Sequence, residues 1–216
     1  MGEDLDINVD SMWIIGPRAK GGKRENNYHG NFAPQIPSDV IRRFTQEGDI
    51  VVEPFMGSGT TLFECERLKR RYVGYDINES IVDYVKSKMR RASRDFKMHL
   101  TDAGSEKAAK ELEGDLGKFG REAADLLILH PPYFDIIKFT EQNCDLYRNS
   151  EVVPLGFRLM DSMLSNFNCK LKGIVIKDMV GNRAKIGLNA LWRKRALRSD
   201  YYLFKHEYVF VFRKIK

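Results

Sequence analysis

The tetrapeptide His130-Pro131-Pro132-Tyr133 follows the short apolar run Leu126 to Leu129. Two adjacent prolines fix the backbone dihedrals of such a turn. The carbonyl of Pro131 and the side chain at position 130 are then held as hydrogen-bond acceptors, with the Tyr133 ring beside them. This set suits an amine whose lone pair is delocalised into an aromatic ring, as in the exocyclic nitrogen of a nucleobase. Such a nitrogen is a poor nucleophile. It needs acceptors for its two N–H groups and a ring to stack on once the base has left the duplex. A proline-rich strand exit plugged by an aromatic is the plainer alternative.

A second set lies upstream. Glu53-Pro54-Phe55-Met56-Gly57-Ser58-Gly59-Thr60-Thr61 stands between an apolar strand-like run and a helix-like run. Glycines there let a backbone approach a ligand closely, and the start of the following helix offers free N–H groups to an anion. The loop lacks the Gly-Lys-Thr ending of a P-loop and the full G-x-G-x-x-G spacing of a dinucleotide site, so it reads as the cradle of a different cofactor. Asp76 ends the next strand-like run, where a carboxylate can accept from two ribose hydroxyls; the alternative is a helix cap. Asp102 ends a third run, as an acceptor for a purine amino group or as a turn aspartate.

The elements that must hold these residues follow from periodicity. Residues 16–30 are rich in Gly, Lys, Arg and Asn without apolar period, so residues 1–28 read as a flexible segment with order beginning near His29. Pro37 and Ser38 precede Val40, Ile41 and Phe44, a short helix ended by Gln46-Glu47-Gly48-Asp49. Strands are predicted at Ile50 to Glu53, Tyr72 to Tyr75, Met98 to Leu100 (closing at Asp102), Leu126 to Leu129, Lys170 to Lys177 and Glu207 to Arg213. Helices are predicted at Thr61 to Leu68, Ser80 to Arg91 (Ile81, Tyr84, Val85 and Met89 inward), Lys107 to Phe119 and Leu155 to Phe167. Alternating strands and helices imply an α/β fold with a doubly wound, mostly parallel sheet that binds ligands at the carboxyl ends of its strands.

The Glu53–Thr61 loop and the Pro131-Pro132-Tyr133 turn resemble the cofactor and catalytic motifs of the N4-cytosine/N6-adenine DNA methyltransferases. His29-Gly30-Asn31-Phe32, with Pro34-Gln35-Ile36-Pro37, is similar to the segment that precedes the glycine loop in that family and helps hold the methionine part of the cofactor. His206 to Lys214 resembles the family's closing strand. The likeness runs from His29 to Lys214 and is dense around the motifs. It implies a single Rossmann-like methyltransferase domain over residues 29–216 and S-adenosylmethionine as cofactor. The cofactor would be held by His29, Gly30, Asn31, Phe32, Glu53, Pro54, Phe55, Gly57, Ser58, Gly59, Thr60, Asp76 and Asp102. It further implies direct methyl transfer to a base amino group with no metal, His130 and Pro131 accepting, Pro132 stiffening the turn and Tyr133 stacking. Cys65, Cys144 and Cys169 lie outside the turn, which disfavours a cysteine-nucleophile route to carbon 5.

Two features depart from the family. Where it carries Asp, Asn or Ser before Pro-Pro-Tyr, this chain has His130, which accepts only as a neutral imidazole. Activity should therefore fall on acidification, and an uncharged first residue leans slightly toward N4 of cytosine over N6 of adenine. The other departure is length. Only Phe134 to Pro154 separates the turn from the next helix, where the family fold needs a crossover helix and a further strand. Either the sheet lacks a central strand, or residues near Asp145 to Val152 are missing from the sequence.

Double-stranded DNA is the implied partner. From Met179 to Ser199 there is no acidic residue, while Arg183, Lys185, Arg193, Lys194, Arg195 and Arg198 surround Trp192, a pattern fit for a phosphate track with a wedging ring or, alternatively, a solvated basic loop. Lys20, Lys23 and Arg24 form a second candidate. Neither is large enough for a recognition domain, so sequence choice would come from short loops, a homodimer or a separate specificity subunit, as in restriction-modification. Rival readings are a catalytically silent methyltransferase-fold subunit and a methyltransferase of RNA or of protein amides.

Bulk properties agree. Thirty-six Lys and Arg against 30 Asp and Glu give a formal charge of +6, which suits a polyanionic partner. Apolar runs are strand-sized rather than membrane-spanning. Glu3, Asp4 and Asp6 are unlike a secretory leader, so a cytoplasmic protein is expected. Three widely spaced cysteines argue against a disulfide framework or a zinc site.

Overall fold

A computed structural model describes residues 6–24, 32–89, 95–130, 146–148, 151–178, 193–194, 196–198 and 206–215. The chain forms two compact units, one of residues 1–7 and 18–141, the other of residues 8–17 and 142–216. The sequence leads one to expect a single domain over residues 29–216. The division differs because residues 8–17, within the predicted flexible lead-in, supply the strand β1 (Met12–Trp13), which pairs in parallel with a strand far along the chain.

The first unit begins with a 3-10 turn (Gly22–Arg24) and then α1 (Gln35–Phe44), β2 (Ile50–Glu53), α2 (Thr60–Arg67), β3 (Arg71–Asp76), α3 (Glu79–Lys88), β4 (Phe96–Leu100), α4 (Glu106–Lys118) and β5 (Leu126–Leu127). The four strands form one parallel sheet in the order β4-β3-β2-β5. Strand residues alternate between faces, and both faces are covered. Val51 and Tyr72 join Ile41, Leu62, Phe63, Val82 and Val85 of α1, α2 and α3 in one core. Ile50, Val52, Val73 and Tyr75 meet Ala108 and Leu116 of α4 in the other. This explains why β2 reads as an unbroken apolar run: parallel sheets bury both sides. The doubly wound α/β class is thus present in this unit.

Boundaries differ from the sequence reading in physical ways. Helix α1 starts at Gln35, so that Pro37 lies in its first turn, where a residue without N–H loses nothing. Helix α3 buries Val82 as well as Ile81 and Val85; the charged, alanine-containing run Lys107 to Phe119 reads as a solvated helix, yet α4 buries Ala108, Asp115 and Leu116 and packs on the sheet. Strand β4 closes at Leu100, not Asp102. Strand β5 is only two residues long, extended by the Ile128 N–H donating to the Val52 carbonyl. Among the described residues β5 pairs on one side only, with β2.

In the second unit, β6 (Leu146–Arg148) and β7 (Glu151–Val153) form an antiparallel hairpin within the short span that precedes Pro154. Helix α5 (Leu155–Asn166) then leads to β8 (Cys169–Asp178) and β9 (His206–Lys214), an antiparallel pair with an irregularity between Leu171 and Gly173. The sheet order is β1-β8-β9. Phe157 of α5 packs edge-on against Tyr208 and Phe210 of β9.

Candidate active site

In a doubly wound sheet, ligands bind where successive connections leave in opposite directions. The chain runs outward from β2 to β3 and β4 and then returns to β5 on the other side of β2. The switch point therefore lies at the carboxyl ends of β2 and β5. The glycine loop follows β2 and His130 follows β5, so both predicted elements emerge from adjacent strands at this point.

Glu53, the last residue of β2, is fully buried. Its Oε1 accepts from the Thr61 hydroxyl at 2.6 Å and its Oε2 from the Tyr72 hydroxyl at 2.6 Å. The two hydroxyls favour the carboxylate, but burial outweighs them and pushes the Glu53 carboxyl up to about 8. Gly74 makes the contact with Tyr72 feasible. A Cβ there would lie 2.3 Å from the Tyr72 hydroxyl, so only glycine lets that ring lie across the strand and reach Glu53.

The loop closes on itself through the Gly59 N–H to the Met56 carbonyl and is tied to β3 by the Met56 N–H to the Tyr75 carbonyl. Gly59 caps α2 in the left-handed conformation at φ 83°, with no side-chain cap. A Cβ on it would meet Phe63 and Val85 at 3.2 Å. The first N–H groups of α2 are thereby left without a capping side chain. Beside them the Thr60 hydroxyl is buried and has no hydrogen-bond partner among the described residues. A buried hydroxyl without a partner next to uncapped amides fits an anionic ligand group such as an amino-acid carboxylate. Ser58 is buried and Phe55 is partly exposed.

Asp76 holds the loop from the next strand: its Oδ2 accepts from the Gly57 N–H at 2.9 Å and its Oδ1 from the Asn78 N–H at 2.9 Å. A carboxylate has about four lone-pair sites, so capacity for ribose hydroxyls remains. Asn78, not Asp76, caps α3, accepting from the Ser80 N–H. Asp102 is exposed and its Oδ1 accepts from the Gly104 N–H at 2.9 Å, the geometry of a turn leading into α4. Two apolar residues that periodicity did not single out stand at these strand ends, Ile77 at 54% and Leu100 at 41% exposure. Their signal was position alone: apolar side chains directly after or at the end of a strand, where a ring could rest.

His130 is half-buried, and its ring stacks on that of Phe32 with centroids 4.3 Å apart and planes 25° from parallel. Phe32, expected near the cofactor, thus meets His130, the first residue of the turn singled out in the sequence. The Phe32 carbonyl accepts from Arg18 Nη1 at 2.6 Å. Pro131, Pro132, Tyr133, His29, Gly30 and Asn31 lie outside the described residues, as do Arg183, Lys185, Trp192 and Arg195. Arg193, Lys194 and Arg198 are exposed.

The second basic candidate resolves differently. Lys23 pairs with Glu66 at 2.6 Å, and Arg24 grips the fully buried Glu64 through Nε at 2.6 Å and Nη2 at 2.8 Å. Arg67 donates to the same Glu64. Lys23 and Arg24 are internal clamps rather than contacts for a polyanion. Lys20 remains exposed. No cluster able to hold a metal ion occurs among the described residues. Cys65 is buried, which pushes its thiol well up and out of nucleophile range.

Residues 2–87 match the sequence model of the N6/N4 DNA methylase family. The methylase match takes in the glycine loop, Asp76 and α3 up to Ser87, and it ends before the His130 turn. The chain is 32% identical over 107 residues to the type II methyltransferase M.MjaI of Methanocaldococcus jannaschii, covering 47% of this chain and 35% of that protein. It is 44% identical over 50 residues to M.HpaI of Haemophilus parainfluenzae, covering 23% of this chain and 16% of that one. The matched stretch spans 35% or less of the length of each of these methylases. Among solved structures, a SAM-dependent methyltransferase of Geobacter sulfurreducens in complex with S-adenosyl-L-homocysteine is similar with a TM-score of 0.47 at 14% identity, over 83% of this chain and 81% of that one.

Proposed function

We propose that this chain transfers a methyl group from S-adenosylmethionine to the exocyclic amino nitrogen of a base in double-stranded DNA. The observation that carries the reading is the emergence of the glycine loop and of His130 from neighbouring parallel strands at the sheet's switch point. The family match over residues 2–87 supports the cofactor side, and the type II relatives support a DNA substrate.

The residues present fit such a cofactor. Thr60 and the uncapped start of α2 suit its methionine carboxylate, Asp76 the ribose hydroxyls, and Ile77 and Leu100 offer apolar surface for the purine. The cofactor would supply an electrophilic methyl on a cationic sulfur. The chain's own contribution is positioning and charge stabilisation. His130 and the Pro131 carbonyl accept from the amine, which keeps its lone pair directed at the donor, Pro132 stiffens the turn, and Tyr133 stacks on the flipped base. Arg193, Lys194 and Arg198, with Arg183, Lys185, Arg195 and Trp192 of the same stretch, contact the DNA backbone. N4 of cytosine is the favoured target over N6 of adenine, because His130 is an uncharged acceptor. A homodimer or a specificity subunit completes sequence choice, and the work is done on DNA in the cytoplasm.

Incubation with duplex DNA and labelled S-adenosylmethionine, followed by mass spectrometry of the nucleosides, tests this. N4-methylcytosine or N6-methyladenine is expected, at a rate that falls on acidification as His130 gains a proton. Transfer to RNA or peptide alone would refute the substrate assignment, and no cofactor uptake by calorimetry would refute the enzyme.

A further inference from the structure

Arg18 belongs to none of the motifs that point to the active site, yet it ends up beside it. Its Nη1 donates to the Phe32 carbonyl at 2.6 Å. Its Nη2 is buried and has no hydrogen-bond partner among the described residues, and burial lowers the guanidinium's pKa. A half-buried cation with one idle arm and, among the described residues, no acidic partner contributes little to stability on its own account, because desolvating it costs free energy that a single hydrogen bond does not offset. The Ala19 N–H donates to Gln35 Oε1 at 3.1 Å, so the segment is fastened to the first turn of α1 on the other side as well. What the arrangement fixes is Phe32. Its backbone is held by Arg18, and its ring lies flat on His130, 4.3 Å away.

We propose that Arg18 and Phe32 are positioning residues, which set the ring plane of His130 so that one imidazole nitrogen faces the amine to be methylated. The inference rests on the acceptor role given to His130 above. A Ser at position 130 would place its hydroxyl oxygen with a single torsion, whereas an imidazole must be oriented about two torsions and presents its lone pair only in the ring plane. A face-on aromatic neighbour restricts that plane, because stacked rings attract beyond what their burial alone provides. Phe32 thereby serves the substrate side of the site rather than the methionine part of the cofactor.

A double-mutant cycle separates these roles. Phe32→Leu should lower kcat about 10- to 100-fold with KM for S-adenosylmethionine nearly unchanged, since small misplacement of a reacting group costs up to about 100-fold. Phe32→Tyr, which keeps the stacking ring, should restore the rate. Arg18→Leu should reproduce the Phe32→Leu loss, and the two together should cost no more than either. In a His130→Asn background, Phe32→Leu should cost little. Equal cost in both backgrounds, or a loss seen in KM for the cofactor, overturns the proposal. A readout free of activity is the NMR spectrum of His130. Its ring protons, shifted upfield by the Phe32 ring, should move downfield in Phe32→Leu and in Arg18→Leu but not in Phe32→Tyr. Unmoved resonances refute the positioning even where methyl transfer is observed, whereas moved resonances without methyl transfer leave the positioning standing and refute the function instead.

Discussion

Glu53 shows how a single side chain near the proposed cofactor site can set the pH range in which the fold is sturdy. Its carboxyl is fully buried between two hydroxyls and pushed up to about 8 from an ordinary value of 4.5. A folded-state value above the unfolded one means that the folded protein binds the proton more tightly. The stabilisation is complete below about pH 4.5 and is lost as pH rises through about 8, after which the curve flattens. The span amounts to on the order of 5 kcal/mol at about 1.4 kcal/mol per pH unit. Glu53→Gln keeps the shape, gives up the titration and should be more stable than the parent at pH 9, with the advantage fading toward pH 5. Urea denaturation of both proteins at pH 5, 7 and 9 checks this, and parallel curves would refute it. That Glu53 ends a buried strand was readable from the apolar run before it. Its pairing with Tyr72 was not, since nothing in the chain marks that Gly74 clears a path between residues 19 apart.

At the level of elements, the strand, glycine loop and helix from Ile50 to Arg67 form the proposed cofactor side, and their order was legible because each has an unmistakable period and the loop a distinct composition. Gly59 is the pivot. Its φ of 83° lies in the left-handed region, and any Cβ would press on Phe63 and Val85. Gly59→Ala should therefore cost roughly 1–3 kcal/mol and weaken cofactor binding through the displaced start of α2, measured together by denaturation and calorimetry. A variant as stable as the parent would mean that the loop relaxes freely. Elements stabilised by distant partners were less legible. The two-residue strand β1 has no period to detect and exists because β8 offers it an edge. Asp102 looked like a strand terminus because Thr101 and Asp102 follow an extended run, whereas its side chain accepts from the Gly104 N–H and turns the chain toward α4.

For the molecule as a whole, charge is the property that reaches furthest. If the exposed Arg193, Lys194 and Arg198 lie on phosphates, replacing all three by Gln should reduce the slope of log K against log salt by about 2 to 3 for duplex DNA, at about 0.9 for each phosphate no longer neutralised. An unchanged slope would remove them from the interface. Net charge alone suggested nucleic acid, but it could not sort working cations from structural ones. Lys23 and Arg24 looked equally available in sequence and are committed to Glu66 and Glu64. Glu64 in turn sat in what reads as an ordinary helix face, and only packing makes it interior. The fold class was legible from alternation, while the division into two units depends on pairings between residues more than a hundred positions apart, which no local pattern encodes. The Glu64 clamp makes the front of the chain a keystone. Trimming the protein to start after Arg24 would strand an interior anion with Arg67 as its remaining counter-ion, at a cost on the order of 3 kcal/mol. The helix behind the glycine ribbon would then loosen from its rear, so a shortened protein should melt earlier and bind its donor less tightly although every motif is intact.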